Sequence, residues 1–231
     1  MDEYEDLEYN LILLGDSLVN KTGLFKKISN TFKEKNVSTI GIDRKTLELK
    51  CDLEDKEGKV ISKIAKINLT DTAGQERYRA LTKAYYKNSD GALILYDITV
   101  KQTFDNVDLW IKSIEEVIDI DKKNYVIFLL GTNINLVQSG KKEREVSEEE
   151  AILKCEQNKL HWVGEISIKE FPEEELKEII AGFIRIFYKY IGIKNEKNRT
   201  LDIKQYKKRR KEIKNFANIT NYYICELFII I

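Results

Sequence analysis

The sequence predicts an α/β fold in which a doubly wound, mostly parallel, six-stranded sheet carries helices on both faces. Nearly continuous apolar runs of strand length recur along the chain, as in parallel strands that are covered on both sides. Amphipathic stretches with helical spacing alternate with these runs. A polar turn between two alternating segments also predicts one antiparallel hairpin, so the sheet is mixed rather than wholly parallel.

Two kinds of pattern predict the strands: alternation of apolar and polar residues predicts the hairpin, and continuous apolar runs predict the central strands. The hairpin extends from Arg44 to Leu69 and turns at the polar, glycine-containing segment 54–58. A short strand is expected just after His161. The three central strands are 11–14, 91–96 and 125–130.

Three helices are predicted after residue 100. Residues 104–118 place their large apolar side chains on one face. Residues 147–157 begin with a capping box in which Ser147 and Glu150 would satisfy each other's backbone N–H groups. The last helix begins at Pro172, the only proline, and three glutamates follow at its positive end.

Composition excludes several classes of protein. The 231 residues suit one α/β domain with a tail. Charged residues make up 34% and balance to zero net charge, while 42% are hydrophobic, which argues against a disordered chain and against a nucleic-acid partner. Three cysteines without a CxxC pair and a single histidine argue against a disulfide framework and against zinc or histidine-based metal sites.

The two ends of the chain carry opposite charges. We expect an acidic N-terminal extension at 1–7, one domain at 8–190, and a basic, flexible tail at 191–231 with a short apolar end. That apolar end is about half the ~20 residues that span a bilayer. No signal peptide is recognised, so a cytoplasmic location is expected. The basic residues of the tail could hold an anionic membrane, although a solvated charge run is the favoured interpretation.

The segment from Leu11 to Thr22 is the first functional signal. A strand leads into a turn that closes with Lys-Thr and continues as a helix, a geometry that directs backbone N–H groups and a lysine at a phosphate chain. Asn20 stands where the standard pattern has glycine, so this loop alone is also compatible with an ordinary strand-to-helix turn. The predicted phosphate-binding residues here are Gly15, Asp16, Ser17, Leu18, Val19, Asn20, Lys21 and Thr22.

A second segment makes the phosphate interpretation specific. Residues 71–78 read Asp-Thr-Ala-Gly-Gln-Glu-Arg-Tyr and, with Ser-Thr-Ile-Gly-Ile-Asp at 38–43, resemble the Rab branch of the Ras-like small GTPases. The resemblance continues through 85–92, 95–99, 104–107 and Trp110, and covers roughly residues 8–190 in collinear order. A motif series in order is more specific than any single motif. The implied fold is of the P-loop NTPase type.

The resemblance implies a mechanism and a set of roles. Thr22, Thr39 and Asp71 would hold Mg²⁺ beside GTP, and the Gly74 N–H would contact the γ-phosphate. Gln75 would orient the attacking water. The family hydrolyses GTP to GDP slowly, as a conformational switch that GTPase-activating proteins, exchange factors and effectors govern. A role in vesicle traffic and a peripheral position on endomembranes follow from the resemblance alone.

The guanine-reading motif departs from the family pattern. Asn-Lys-x-Asp is replaced by Thr132, Asn133, Ile134 and Asn135. An aspartate accepts two hydrogen bonds from guanine, whereas Asn135 offers one acceptor and one donor, and the loss costs about 1.5–3 kcal/mol. Xanthine, with an acceptor at C2, would suit the amide better. The predicted base-binding residues are Phe32, Thr132, Asn133, Asn135, Ser167, Ile168 and Lys169.

Other departures affect the loop, the effector surface and the terminus. Leu18 stands at a family glycine and would be strained by ~1–2 kcal/mol in a left-handed conformation. The three aromatic positions that Rab proteins present to effectors are Arg44, Thr70 and Tyr78, so two rings are missing. Cys225 lies six residues from the end and matches no prenylation pattern.

Three hypotheses therefore remain open at the level of sequence. The leading one is a Rab-like GTPase that binds GTP and GDP with Mg²⁺. The second is a pseudo-GTPase interaction module with weak or no nucleotide binding. The third is a switch that prefers xanthine nucleotides through Asn135.

Overall fold

The computed structural model describes residues 7–32, 37–39, 42–55, 58–72 and 85–191. Within these ranges seven strands form a single sheet. The strands are β1 (Leu7–Leu14), β2 (Val37–Thr39), β3 (Ile42–Glu54), β4 (Val60–Asp71), β5 (Gly91–Asp97), β6 (Val126–Thr132) and β7 (His161–Ile166). Their order across the sheet is β2-β3-β4-β1-β5-β6-β7.

The doubly wound, mostly parallel sheet is confirmed. β1 pairs in parallel with β4 and β5, and β5, β6 and β7 continue in parallel. β3 and β4 form the predicted hairpin, and β2 adds a further antiparallel edge. The six predicted strands are thus joined by a seventh. β2 has three residues, too few for alternation to reveal it.

The helices confirm most of the predicted elements. They are α1 (Lys21–Thr31), α2 (Lys101–Asp105), α3 (Val107–Glu115), α4 (Ile120–Lys123), α5 (Ile134–Gln138), α6 (Glu148–Asn158) and α7 (Glu173–Ile191). The capping box is present at α6, with the Ser147 hydroxyl accepting from the Glu150 N–H. The helix predicted at 104–118 is confirmed in part: the helical residues begin at Lys101, α2 and α3 meet at Asn106, and α3 ends at Glu115.

Two hydrophobic clusters lie on opposite faces of the sheet. The first contains Phe128, Phe183 and Phe187 and packs α1 and α7 against the sheet. The second contains Tyr96 and Phe104 and packs α2, α3 and α6. Every residue of β5 and β6 is buried, as expected for central parallel strands. In the described ranges no helix is long and apolar enough to cross a membrane.

Two cysteines are buried in these clusters and are unsuited to nucleophilic chemistry. Burial raises the pKa of the Cys51 thiol to about 11 and that of Cys155 to about 12. Both thiols therefore remain protonated at neutral pH, and a protonated thiol is a poor nucleophile. Their interpretation as packing residues fits the structure. Cys225 lies outside the described residues.

Candidate functional site

The carboxyl ends of the parallel strands bring the predicted site residues to one edge of the sheet. Leu13 of β1 is in register with Asp71 of β4, and the phosphate loop begins at Gly15. On the other side, Asp97 of β5 is in register with Thr132 of β6. Ligands of open α/β sheets bind at this edge, where the strand order reverses around the first strand.

Lys21 is the central cation of the phosphate loop. Although it is only 5% exposed, its ammonium is held inside the loop by the carbonyl oxygens of Gly15, at 2.7 Å, and Asp16, at 2.6 Å. Lys21 is also the first residue of α1, whose N-terminal N–H groups favour anions. The loop thus surrounds a positive charge at a helix N-terminus, the arrangement that a phosphate chain requires.

Gly15 allows the loop to pass close to β5. Its φ is +131°, and a Cβ there would lie 2.3 Å from the carbonyl oxygen of Leu95. No other residue fits such an approach without moving the backbone. The turn that directs the loop back over the sheet therefore depends on this glycine.

Leu18 and Asn20, which stand at glycine positions of the family pattern, keep a glycine-like backbone with positive φ. Leu18 has φ 70° and Asn20 has φ 72°, both left-handed. The conformation predicted to strain Leu18 is therefore present, whereas asparagine tolerates it well. The Leu18 side chain is 93% exposed. It projects into solvent, so no packing contact offsets the strain.

Asp16 fastens the loop to the start of α3. One carboxylate oxygen accepts from Nδ2 of Asn106 at 2.5 Å, and the other accepts from the indole N–H of Trp110 at 3.0 Å. Both donors belong to segments that carried the family resemblance, but sequence reasoning assigned them no role. Only the packing of α3 against the sheet reveals their common partner.

The predicted magnesium ligands are placed in part. Asp71 is buried at the end of β4, beside the strand that leads into the phosphate loop. The neighbouring Thr72 donates from its hydroxyl to the carbonyl oxygen of Leu13 at 2.7 Å, which fixes that strand end. Thr22 follows Lys21 in α1. Hydroxyl and carboxylate oxygens are the donors that Mg²⁺ prefers, so the residues present fit the ion.

Three predicted residues cannot be placed in the same detail. The backbone of Thr39 lies in β2, paired with Ile42, but its side chain is not among the described parts of the chain. Gly74 and Gln75 lie outside the described residues. Their contacts to the γ-phosphate and to the attacking water stay predictions.

Two of the three guanine-reading positions, 132 and 133, are occupied by side chains that bind elsewhere in the protein. The Thr132 hydroxyl is buried and donates to the carbonyl oxygen of Tyr96 at 2.8 Å. Asn133 has φ 69° and donates from Nδ2 to Asp97 Oδ2 at 2.7 Å. The other oxygen of Asp97 accepts from the N–H and hydroxyl of Thr99. Asn133 is therefore anchored to β5 and does not extend as the family's lysine does.

The second base loop follows β7. Ser167 and Ile168 are buried, and the Ser167 hydroxyl has no hydrogen-bond partner among the described residues. Lys169 is exposed, and its carbonyl oxygen lies 3.4 Å from Nζ of Lys27 in α1. Phe32 is buried in the same hydrophobic cluster as Ile168. The base contact that the family resemblance implies for Phe32 stays a prediction.

Comparison with known proteins places the chain in a family. A model of the Ras family matches residues 10–188. The GTP-binding protein ypt3 of Schizosaccharomyces pombe is 38% identical over 80% of this chain and 79% of its own length. The Ras-related protein YPTC6 of Chlamydomonas reinhardtii is 36% identical over 86% of this chain and 84% of its own length. The Ras-related protein Rab11A of Lotus japonicus is 33% identical over 87% of this chain and 79% of its own length. The chain is thus a Rab-like member of the Ras family of small GTPases.

Proposed function

We propose that this chain binds GTP and GDP with Mg²⁺ at the strand-end site and hydrolyses GTP to GDP and phosphate as a slow switch in membrane traffic. The observation that carries the proposal is the buried Lys21, whose ammonium is held by the carbonyl oxygens of Gly15 and Asp16. Burying a charged group is costly unless the surroundings compensate it. A loop that retains such a charge at a helix N-terminus is built for an anion.

The residues of the loop have distinct roles in this proposal. Lys21 neutralises charge on the terminal phosphates, and the N–H groups of the loop bind phosphate oxygens. Thr22, Thr39 and Asp71 hold the magnesium ion, which supplies further charge neutralisation. Gly74 contacts the γ-phosphate through its backbone. Base contacts come from the loops after β6 and β7, with Asn135 and Ser167 nearest in role to the family's reading residues.

We propose regulators and effectors because the chain belongs to the family, but its effector surface differs from that of Rab proteins at the aromatic positions. Arg44 is exposed, and its guanidinium lies 6.0 Å from the ring centroid of Tyr85. Thr70 is buried, and Tyr78 lies outside the described residues. A partner that requires three exposed rings therefore does not fit this surface. We place the protein peripherally on cytosolic endomembrane faces, as a proposal from its Rab-named relatives.

Thermal unfolding with Mg²⁺ and GDP, GTP, XDP or ADP tests nucleotide binding. A ligand at 100 times its Kd stabilises the folded state by about 2.7 kcal/mol, so guanine nucleotides should raise the melting temperature visibly. Lys21→Met should abolish the shift. Lys26→Met, an exposed change in the same helix, should retain it. If no nucleotide shifts the transition of the unmodified protein, the proposal is wrong.

Replacement of Gln75 tests the hydrolytic step. Gln75→Leu removes the amide that would orient water but no phosphate ligand, so single-turnover hydrolysis of GTP should slow while GDP affinity stays the same. Equal turnover in the two proteins would remove Gln75 from the mechanism without affecting the binding proposal.

A further inference from the structure

The Asn20 amide lies against Gly23 in the first turn of α1. A Cβ at Gly23 would lie 2.1 Å from Oδ1 of Asn20 and 2.8 Å from its Cγ, closer than non-bonded atoms approach. The Asn20 side chain makes no capping hydrogen bond, while its backbone carbonyl accepts from the N–H of Leu24 at 3.0 Å. The space above Gly23, rather than a hydrogen bond, therefore accommodates this amide.

The position of Asn20 makes this accommodation important. Residue 20 directly precedes Lys21, and it is the position at which the family pattern has glycine. Its backbone keeps the left-handed conformation that glycine would adopt, with φ 72° and ψ 30°. Unlike glycine, however, asparagine has a side chain, and this side chain needs space beside the phosphate-binding loop.

We propose that Gly23 is a positioning residue: by lacking a side chain, it lets Asn20 lie along α1 and keeps the amide clear of the phosphates. This inference rests on the proposed nucleotide binding. It makes the two residues a compensating pair, in which a glycine in the first turn of α1 makes room for the asparagine that replaces the family's loop glycine.

Helix geometry supports the pairing. The Cα–Cβ bond of a helical residue is tilted toward the N-terminus, so any side chain at 23 would point back at residue 20. Asn20 would then have to leave its present side-chain rotamer for another staggered position. Glycine is also the poorest common helix former after proline. Its presence inside the first turn of α1 therefore needs a reason, and the Asn20 amide supplies one.

A double-mutant cycle tests the inference. The variants are Gly23→Ala, Asn20→Gly and the double variant, and the readout is the Kd for GDP with Mg²⁺ from competition against a fluorescent GDP analogue. Gly23→Ala should weaken GDP binding by about tenfold or more, and Asn20→Gly in the same chain should restore it to within about threefold. Asn30→Ala, exposed on the same helix, should leave the Kd unchanged.

Several outcomes would overturn the inference. Wild-type affinity in Gly23→Ala would mean that the displaced amide turns harmlessly into solvent. A loss that persists in the double variant would assign the effect to Gly23 itself. A gain of GDP binding in Asn20→Gly alone would mean that Asn20 already obstructs the site.

A measurement without nucleotide separates this inference from the proposed function. If the amide lies on Gly23, Gly23→Ala should raise the melting temperature more in the Asn20→Gly background than in the unmodified chain, because only there is the space empty. Equal changes in the two backgrounds overturn the pairing, whether or not any nucleotide binds. Absence of nucleotide binding in the unmodified protein overturns the proposed function.

Discussion

Trp110 donates its indole N–H to the carboxylate of Asp16 at 3.0 Å, across 94 residues of sequence. Asn106 donates to the second oxygen of the same carboxylate. The phosphate loop is therefore fastened to the beginning of α3, on the face of the sheet opposite α1. Because the loop connects β1 to α1, this contact ties both layers of helices to the nucleotide site.

Trp110→Phe removes this donor while it keeps an aromatic ring in place. A hydrogen bond to a charged group contributes about 1.5–3 kcal/mol, and partial exposure of Asp16 places this bond at the lower end of that range. We expect lower stability in urea denaturation and faster release of bound GDP. Trp162→Phe is the matched control, since the Trp162 N–H has no partner among the described residues. Equal losses in the two variants would indicate a packing effect alone.

Leu18→Gly should stabilise the protein. The left-handed conformation of leucine costs ~1–2 kcal/mol, whereas glycine adopts it freely and loses about 0.5–1 kcal/mol through its greater freedom in the unfolded chain. The net gain of about 0–1.5 kcal/mol should raise the melting temperature by about 2–4 °C for each kcal/mol gained. Asn20→Gly should gain less, because asparagine tolerates this conformation. A lower melting temperature for Leu18→Gly would show that the exposed leucine makes a stabilising contact.

These sites also show what sequence can predict. The capping box of Ser147 follows from local pattern, since caps depend on neighbouring residues, whereas the left-handed backbone at Leu18 follows from the family's glycine at that position. The bonds from Asn133 to Asp97 and from Trp110 to Asp16 do not, because they join segments that meet only when the sheet forms. The pairing of Asn20 with Gly23 is local but depends on a side-chain rotamer, which no pattern of residue types fixes.

Arg144→Ala should be strongly destabilising. Both terminal nitrogens of Arg144 lie 2.6 Å from the oxygens of Glu165, whose side chain is only 5% exposed. Removing the arginine leaves a largely buried carboxylate without its partner, which costs about 3–5 kcal/mol in a fully buried pair and less here, because the Arg144 side chain is 32% exposed. The loss is measured by urea denaturation.

An exposed ion pair provides the control for Arg144. Lys177 and Glu174 form such a pair on α7, and Lys177→Ala should cost no more than about 1 kcal/mol. Because Glu165 lies in β7 just before Ser167, hydrogen exchange in the base loop should also rise in Arg144→Ala. Similar losses in the two alanine variants would mean that Glu165 reaches water more easily than its burial indicates.

Asn135→Asp should strengthen binding of GDP. Residue 135 lies in the first turn of α5, directly after the strand end that carries Thr132. A carboxylate there accepts from both N1–H and N2–H of guanine, whereas the amide places a donor against one of them. The difference of about 1.5–3 kcal/mol corresponds to roughly 10- to 150-fold in GDP affinity.

XDP affinity should fall in the same variant, because the C2 oxygen of xanthine then faces an acceptor. Asn158→Asp adds the same charge at an exposed helix end and should change neither affinity. Unchanged or weaker GDP binding by Asn135→Asp would refute the assignment of this residue to the base, since a side chain that accepts from guanine must respond to the stronger acceptor.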